Sequence, residues 1–175
     1  MAAAPGPLTL ERNRDLKGLS TVGLVCRRVG YGVLGVIVVL GLLNVFGQHP
    51  TTVSAEAPAA KLELYAPTRL RGGLLFMARF RITAKQDLKN ATLVLSPGWA
   101  ESITINTIEP SPVDETSDNG SLSFALGKLA AGDTYTLFMD FQVNPTNVGR
   151  RPQDVELRDG DMHVLTIDRT AAVFP

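Results

Sequence analysis

The sequence predicts a mainly β protein: one N-terminal transmembrane helix followed by an antiparallel β-sandwich of seven or eight short strands. Three observations carry this. Val29 to Phe46 (VGYGVLGVIVVLGLLNVF) is uncharged and mostly apolar for eighteen residues, with Arg27 and Arg28 immediately before it. At about 1.5 Å per residue such a helix is about 27 Å long, close to the hydrocarbon thickness of a bilayer. After residue 60, apolar residues recur at every second position in short segments separated by turn residues. No amphipathic helix of ordinary length follows the span.

The chain therefore divides into a basic head (1–20), a transmembrane segment (21–47), a linker (48–60) and a single folded domain (61–175), a typical domain length. Overall charge is zero but unevenly spread. Before residue 51, Arg12, Arg14, Lys17, Arg27 and Arg28 outweigh Glu11 and Asp15 by three, and the rest of the chain is negative by three. Basic residues beside one end of a span are retained in the cytoplasm. The expected topology puts the N-terminus inside and the large domain outside. The cations of the head are expected to touch anionic lipid. The near-neutral outer domain gives no ground for a nucleic-acid partner.

Cys26 is the single cysteine, so no intramolecular disulfide can form. A disulfide-free outer domain must be held by its core, which points to a bacterial envelope. Cys26 follows Gly23-Leu24-Val25 and precedes the apolar run, the wrong order for a lipoprotein site, and is expected to be a small residue of the helix.

Within the span, Gly23, Gly30, Ile37 and Gly41 recur at sevens and elevens and share one helical face, with Asn44 nearby. Small residues let a second helix approach closely, and Asn44 can add an interhelical hydrogen bond of about 1 kcal/mol. These five residues form a candidate helix-packing surface. Gly30-Tyr-Gly-Val-Leu-Gly35 spells GxGxxG, but no βαβ unit surrounds it, so it is not a dinucleotide site. Val53-Ser54-Ala55 would suit a signal-peptidase cut after Ala55. The apolar run exceeds the 7–15 residues of a signal peptide, so a retained anchor is expected.

Gln48 to Ala60 (QHPTTVSAEAPAA) reads as a linker with no structure of its own. Leu74 to Thr83 is the clearest strand, with Leu74, Phe76, Ala78, Phe80 and Ile82 on one face and Leu75, Met77, Arg79, Arg81 and Thr83 on the other. Asp133 to Val143 is its equal, with Tyr135, Leu137, Met139, Phe141 and Val143 inward. Shorter strands are expected at Leu62–Tyr65, Ala91–Leu95, Ile103–Ile108, Leu122–Leu126, Val155–Arg158 and His163–Phe174, the last two joined through an Asp159-Gly160 turn. Trp99, after Pro97-Gly98, is expected to plug the core.

The segment Leu126-Gly-Lys-Leu-Ala-Ala-Gly132-Asp-Thr-Tyr-Thr-Leu-Phe-Met-Asp-Phe-Gln-Val143 resembles a signature of immunoglobulin-like repeat domains in bacterial surface proteins. In those, leucine, small residues, glycine and a polar residue lead into a long alternating sixth strand. The resemblance implies an immunoglobulin-like sandwich of about seven strands. The whole layout resembles small single-pass membrane proteins of actinobacteria. That resemblance implies a polytopic membrane protein of the YetF type as a neighbour and possible partner, and no assigned activity.

The sequence offers no catalytic, cofactor-binding or metal constellation. His49 and His163 lack metal-ligand spacing, and no GxSxG elbow occurs. Asp114, Glu115 and Asp118, within Glu109–Gly120, match no calcium loop and are expected in a solvated hairpin loop. The candidate interface consists of Leu75, Met77, Arg79 and Arg81, with Arg69 and Arg71. Arg and Met are enriched in protein interfaces, and arginine forks suit carboxylate or phosphate. The ordinary alternative is ion pairing of these arginines with Asp140 or Asp168. The expected function is a non-enzymatic, membrane-anchored interaction module, an accessory or sensor subunit docking on another membrane or envelope protein. The alternative is an envelope domain that binds glycan or lipid and is released by cleavage near Ala55.

Overall fold

The computed structural model describes residues 21–45 and 47–175. The basic head, with Arg12, Arg14 and Lys17, and Phe46 lie outside the described residues. The chain forms two compact units, Met1–Gly47 and Gln48–Pro175.

The first unit contains α1 (Thr21–Leu42), 22 residues and about 33 Å long. Among the described residues it is the one helix long and apolar enough to cross a bilayer. Arg27 and Arg28 do not interrupt it. The Arg27 guanidinium lies 5.5 Å from the ring centroid of Tyr31, one turn on. Asn44 is not on the helix face. It sits past the helix end with φ 53°, its N–H bonded to the Gly41 carbonyl at 3.0 Å. The Val45 N–H reaches the Leu40 carbonyl at 3.1 Å. This pair of bonds is the Schellman stop, and asparagine, after glycine, is the residue that takes its left-handed position at least cost.

The second unit is a sandwich of antiparallel sheets. One sheet has the order β1 (Pro50–Glu56), β2 (Ala60–Pro67), β4 (Leu75–Ala84), β9 (Thr134–Val143), β6 (Ile103–Glu109). The other runs β12 (Met162–Ile167), β11 (Val155–Asp159), β5 (Leu88–Leu95), β8 (Ser121–Leu129), β7 (Asp114–Asp118). A three-stranded sheet, β10 (Gly149–Pro152), β13 (Thr170–Phe174), β3 (Arg69–Arg71), completes the unit, with β13 and β3 parallel.

Seven of these strands follow the immunoglobulin order. Taken along the chain as β2, β4, β5, β6, β9, β11 and β12, the first, second, fifth and fourth lie side by side in one sheet. The seventh, sixth and third lie side by side in the other. The fold is thus an immunoglobulin-like sandwich with six additional strands: β1 on one edge, the β7–β8 hairpin on another, and the small third sheet. The alternation seen in the sequence drives it. Along β4, Phe76, Ala78, Phe80 and Ile82 are buried while Leu75, Met77, Arg79 and Arg81 are exposed. Trp99 is fully buried in a 3-10 turn (Pro97–Trp99), its ring 5.5 Å from Phe80 and 5.3 Å from Phe141.

Several expectations are corrected. Residues 50–56 are not linker: β1 pairs with β2 over seven residues, Pro50↔Pro67 to Glu56↔Lys61. Residues 114–118 are not loop but the fully exposed strand β7, paired with β8 alone. The long final strand divides, because after Ile167 the chain leaves one sheet and β13 joins another. The tight turn at its start is Gly160-Asp161 rather than Asp159-Gly160, since Asp159 pairs with Met162 and Gly160 takes φ 59°. The signature segment leads into β9, fifth in the immunoglobulin order, not sixth. It crosses there from the sheet holding β8 to the sheet holding β4.

Candidate functional site

The outward face of β4 presents Leu75, Met77, Arg79 and Arg81, as the alternation predicts. The register builds a wider surface from them. Arg79 lies between Tyr65 of β2 and Phe138 of β9, and the same row continues to Thr52 of β1 and Glu109 of β6. The Arg79 guanidinium sits over the Tyr65 ring, 5.0 Å from its centroid, a cation–π contact. Phe138 stays exposed on the other side.

The neighbouring row places Arg81 between Glu63 and Thr136. Glu63 is already engaged by Lys61, 2.7 Å away. A hydrogen bond and the charge of Lys61 hold the Glu63 carboxyl below its ordinary range, and the positive charges of Arg81 and Arg79 add to this. The expected partner Asp140 faces Met77 instead. Among the described residues, neither Arg79 nor Arg81 forms an ion pair with Asp140 or Asp168. Beside Met77, a depression of about 250 Å³ is lined by Gln48, Pro50, Tyr65, Pro67, Phe76 and Met77. The surface is therefore apolar at the Leu75–Met77 end, cationic at Arg79–Arg81, and has a socket at its apolar side. Tyr65, Pro67 and Phe138 escaped the sequence analysis because only strand register brings them to β4.

Arg69 and Arg71 do not belong to this strip. They stand exposed on β3, either side of buried Leu70, in the third sheet. Of the helix-packing set, Gly23, Gly30, Ile37 and Gly41 lie on α1 within about 40° of one another. A Cβ added at Gly30 or Gly41 would meet nothing within 4 Å. Asn44 leaves the set for the helix stop. His163 is exposed on β12, its Nε2 2.8 Å from Thr166 Oγ1. Asp114, Glu115 and Asp118 line the exposed edge strand β7.

No family model and no curated protein matches this chain. Among solved structures it is similar to the CARDB domain of the PF1109 protein of Pyrococcus furiosus, solved in complex with di-metal ions. That likeness has 12% identity, covers 71% of this chain and 95% of that one, and has a TM-score of 0.43. A β-glucosidase from Listeria innocua in complex with glucose is similar at 10% identity over 74% of this chain and 16% of its own, TM-score 0.31. An exo-β-N-acetylglucosaminidase from Vibrio harveyi is similar at 15% identity over 73% and 18%, TM-score 0.26. With TM-scores below 0.5, none of these likenesses says what this chain binds or does.

Proposed function

We propose that this chain is a non-enzymatic, membrane-anchored interaction module of a bacterial cell membrane. In this reading α1 crosses the bilayer once with the N-terminus in the cytoplasm, and the sandwich docks, as an accessory or sensor subunit, on another membrane or envelope protein. The observation that carries it is the β4 surface: Leu75, Met77, Arg79 and Arg81 exposed in line, flanked by Phe138 and the Tyr65–Met77 socket. Such a mixture of exposed apolar, aromatic and arginine side chains is the composition of interface centres.

Retention of α1 is supported by β1. A cut after Ala55 would fall inside a strand whose Val53, Ser54 and Ala55 pair with Leu64, Glu63 and Leu62. A polytopic membrane protein of the YetF type is the partner suggested by the resemblance of the layout. A sandwich that uses the same strip for an envelope glycan is less favoured, because the Tyr65 face is already covered by Arg79.

The test is purification of the tagged full chain from native membranes in mild detergent, followed by mass spectrometry. A stoichiometric membrane or envelope partner that is lost from the M77A/R79A/R81A variant supports the proposal. A chain that emerges alone, or a partner retained by the variant, overturns it.

A further inference from the structure

A second cationic site lies on the third sheet, independent of whatever docks on β4. Leu70 of β3 and Ala171 and Val173 of β13 are buried, so Arg69, Arg71, Ala172 and Phe174 take the opposite face. The register sets Ala172 opposite Arg150 of β10 on one side and opposite Arg69 of β3 on the other. Two arginines therefore flank one small side chain. Thr68, Arg69, Arg150, Thr170 and Ala172 line a shallow concavity of about 410 Å³. No carboxylate lines it, and among the described residues Arg69, Arg71 and Arg150 have no ion-pair partner.

Strands two places apart are about 10 Å apart, so the long side chains of Arg69 and Arg150 can converge above Ala172 on a group a few ångströms wide. Two like charges set this way repel each other unless an anion lies between them. A single carboxylate is satisfied by one guanidinium fork. Two forks with threonine hydroxyls beside them match an oxyanion with more oxygens and more charge.

We propose that this concavity binds a phosphate group, gripped by Arg69 and Arg150, with Thr68 and Thr170 as hydroxyl donors and Arg71 adding charge. The phosphate belongs either to an anionic lipid headgroup or to a soluble phosphate compound, and the same donors serve both.

The test titrates the full-length chain, in a neutral maltoside detergent, with inorganic phosphate and separately with a short-chain phosphatidylglycerol. Calorimetry and the backbone amide signal of Ala172 are followed. Saturable binding is expected, weakened about tenfold by R69A or R150A and more by both together, with R79A/R81A unchanged. The A172E variant, which places a carboxylate between the arginines, should abolish binding while Trp99 fluorescence stays native. Saturation by inorganic phosphate supports the site with a soluble source, and saturation by phosphatidylglycerol alone supports it with a lipid source. No saturable response to either, or a response that survives R69A/R150A, overturns the proposal.

Discussion

The guanidinium of Arg169 lies over the indole of Trp99, 5.2 Å from the ring centroid. Arg169 lies in the link between β12 and β13, with its main chain and one guanidinium nitrogen hydrogen-bonded and its Nε buried without a hydrogen-bond partner. Its N–H is bonded to Asp154 Oδ1 at 2.9 Å, its carbonyl accepts from the Gln153 N–H at 2.9 Å, and its Nη2 donates to the Pro67 carbonyl at the end of β2. This one residue ties the third sheet to the plug of the core. Burial pushes its pKa down to about 10, below the usual arginine range.

Arg169→Met keeps the aliphatic stem and removes the charge. The Pro67 carbonyl loses a charged donor worth about 1.5–3 kcal/mol, while the cost of burying a cation without a carboxylate disappears. A net loss of about 1–2 kcal/mol is expected in urea denaturation at neutral pH. Unchanged stability of R169M would contradict this placement of Arg169.

Trp99→Ala should cost about 3–5 kcal/mol by emptying the space between Phe80 and Phe141. Trp99→Phe should cost much less, because the indole Nε1 is buried without a hydrogen-bond partner and phenylalanine removes that donor. Chemical denaturation followed by circular dichroism separates the two.

Gly98→Ala should be among the most damaging small substitutions. An added Cβ would lie 1.9 Å from the Pro152 carbonyl oxygen, so backbone must move. A loss above about 2 kcal/mol is expected. Gly120→Ala should cost less on space alone, since its nearest neighbour is the Pro97 side chain at 3.4 Å, although its φ of +82° adds strain. Equal melting temperatures for G98A and the parent chain would refute the close approach.

On acidification the β1–β2 edge should loosen. A hydrogen bond and the charge of Lys85 hold the Glu56 carboxyl below its ordinary 4.5, and Lys61 does the same for Glu63. A lowered carboxyl pKa stabilises above the unfolded value, and that contribution is lost as pH falls through the folded value. Thermal melts from pH about 6 to about 3 should therefore fall less steeply for K61A/K85A than for the parent chain. Both pairs are solvent-exposed, so the difference should shrink in high salt.

If the glycine face of α1 packs against another helix, Gly30→Leu with Gly41→Leu should reduce co-purification of a membrane partner without loss of helix content. Unchanged recovery would remove the glycines from the interface and leave them as ordinary residues of an apolar helix.

The parts of the fold that were legible in the sequence are those with one wet and one dry face. β4 and β9 alternate over ten residues, so their buried and exposed sides follow from the pattern, and the exposed strip followed with them. β1 and β7 carry no such pattern, for the opposite reason. The sequence PTTVSAE has only Val53 and Ala55 partly buried and DETSD has nothing buried, so their strand character lies in backbone pairing that side chains do not announce. Arg69 and Arg71 match Arg79 and Arg81 in residue type and spacing alone. The glycine turn at Gly72-Gly73 sends the chain to a different sheet and separates them. The site above Ala172 depends on a parallel pairing between residues about one hundred positions apart, which no local pattern carries.

β1 also determines how the domain behaves when it is cut free. Without it, β2 becomes the sheet margin, with a row of main-chain groups open to any passing strand. β1 itself makes a poor template: it opens on a proline, is only seven residues long and carries mainly small or polar side chains. The stretch that leads back toward the helix is thus a selvedge that stops the sheet from growing. A fragment begun at Lys61 should self-associate more than one begun at Gln48, as read by size-exclusion chromatography.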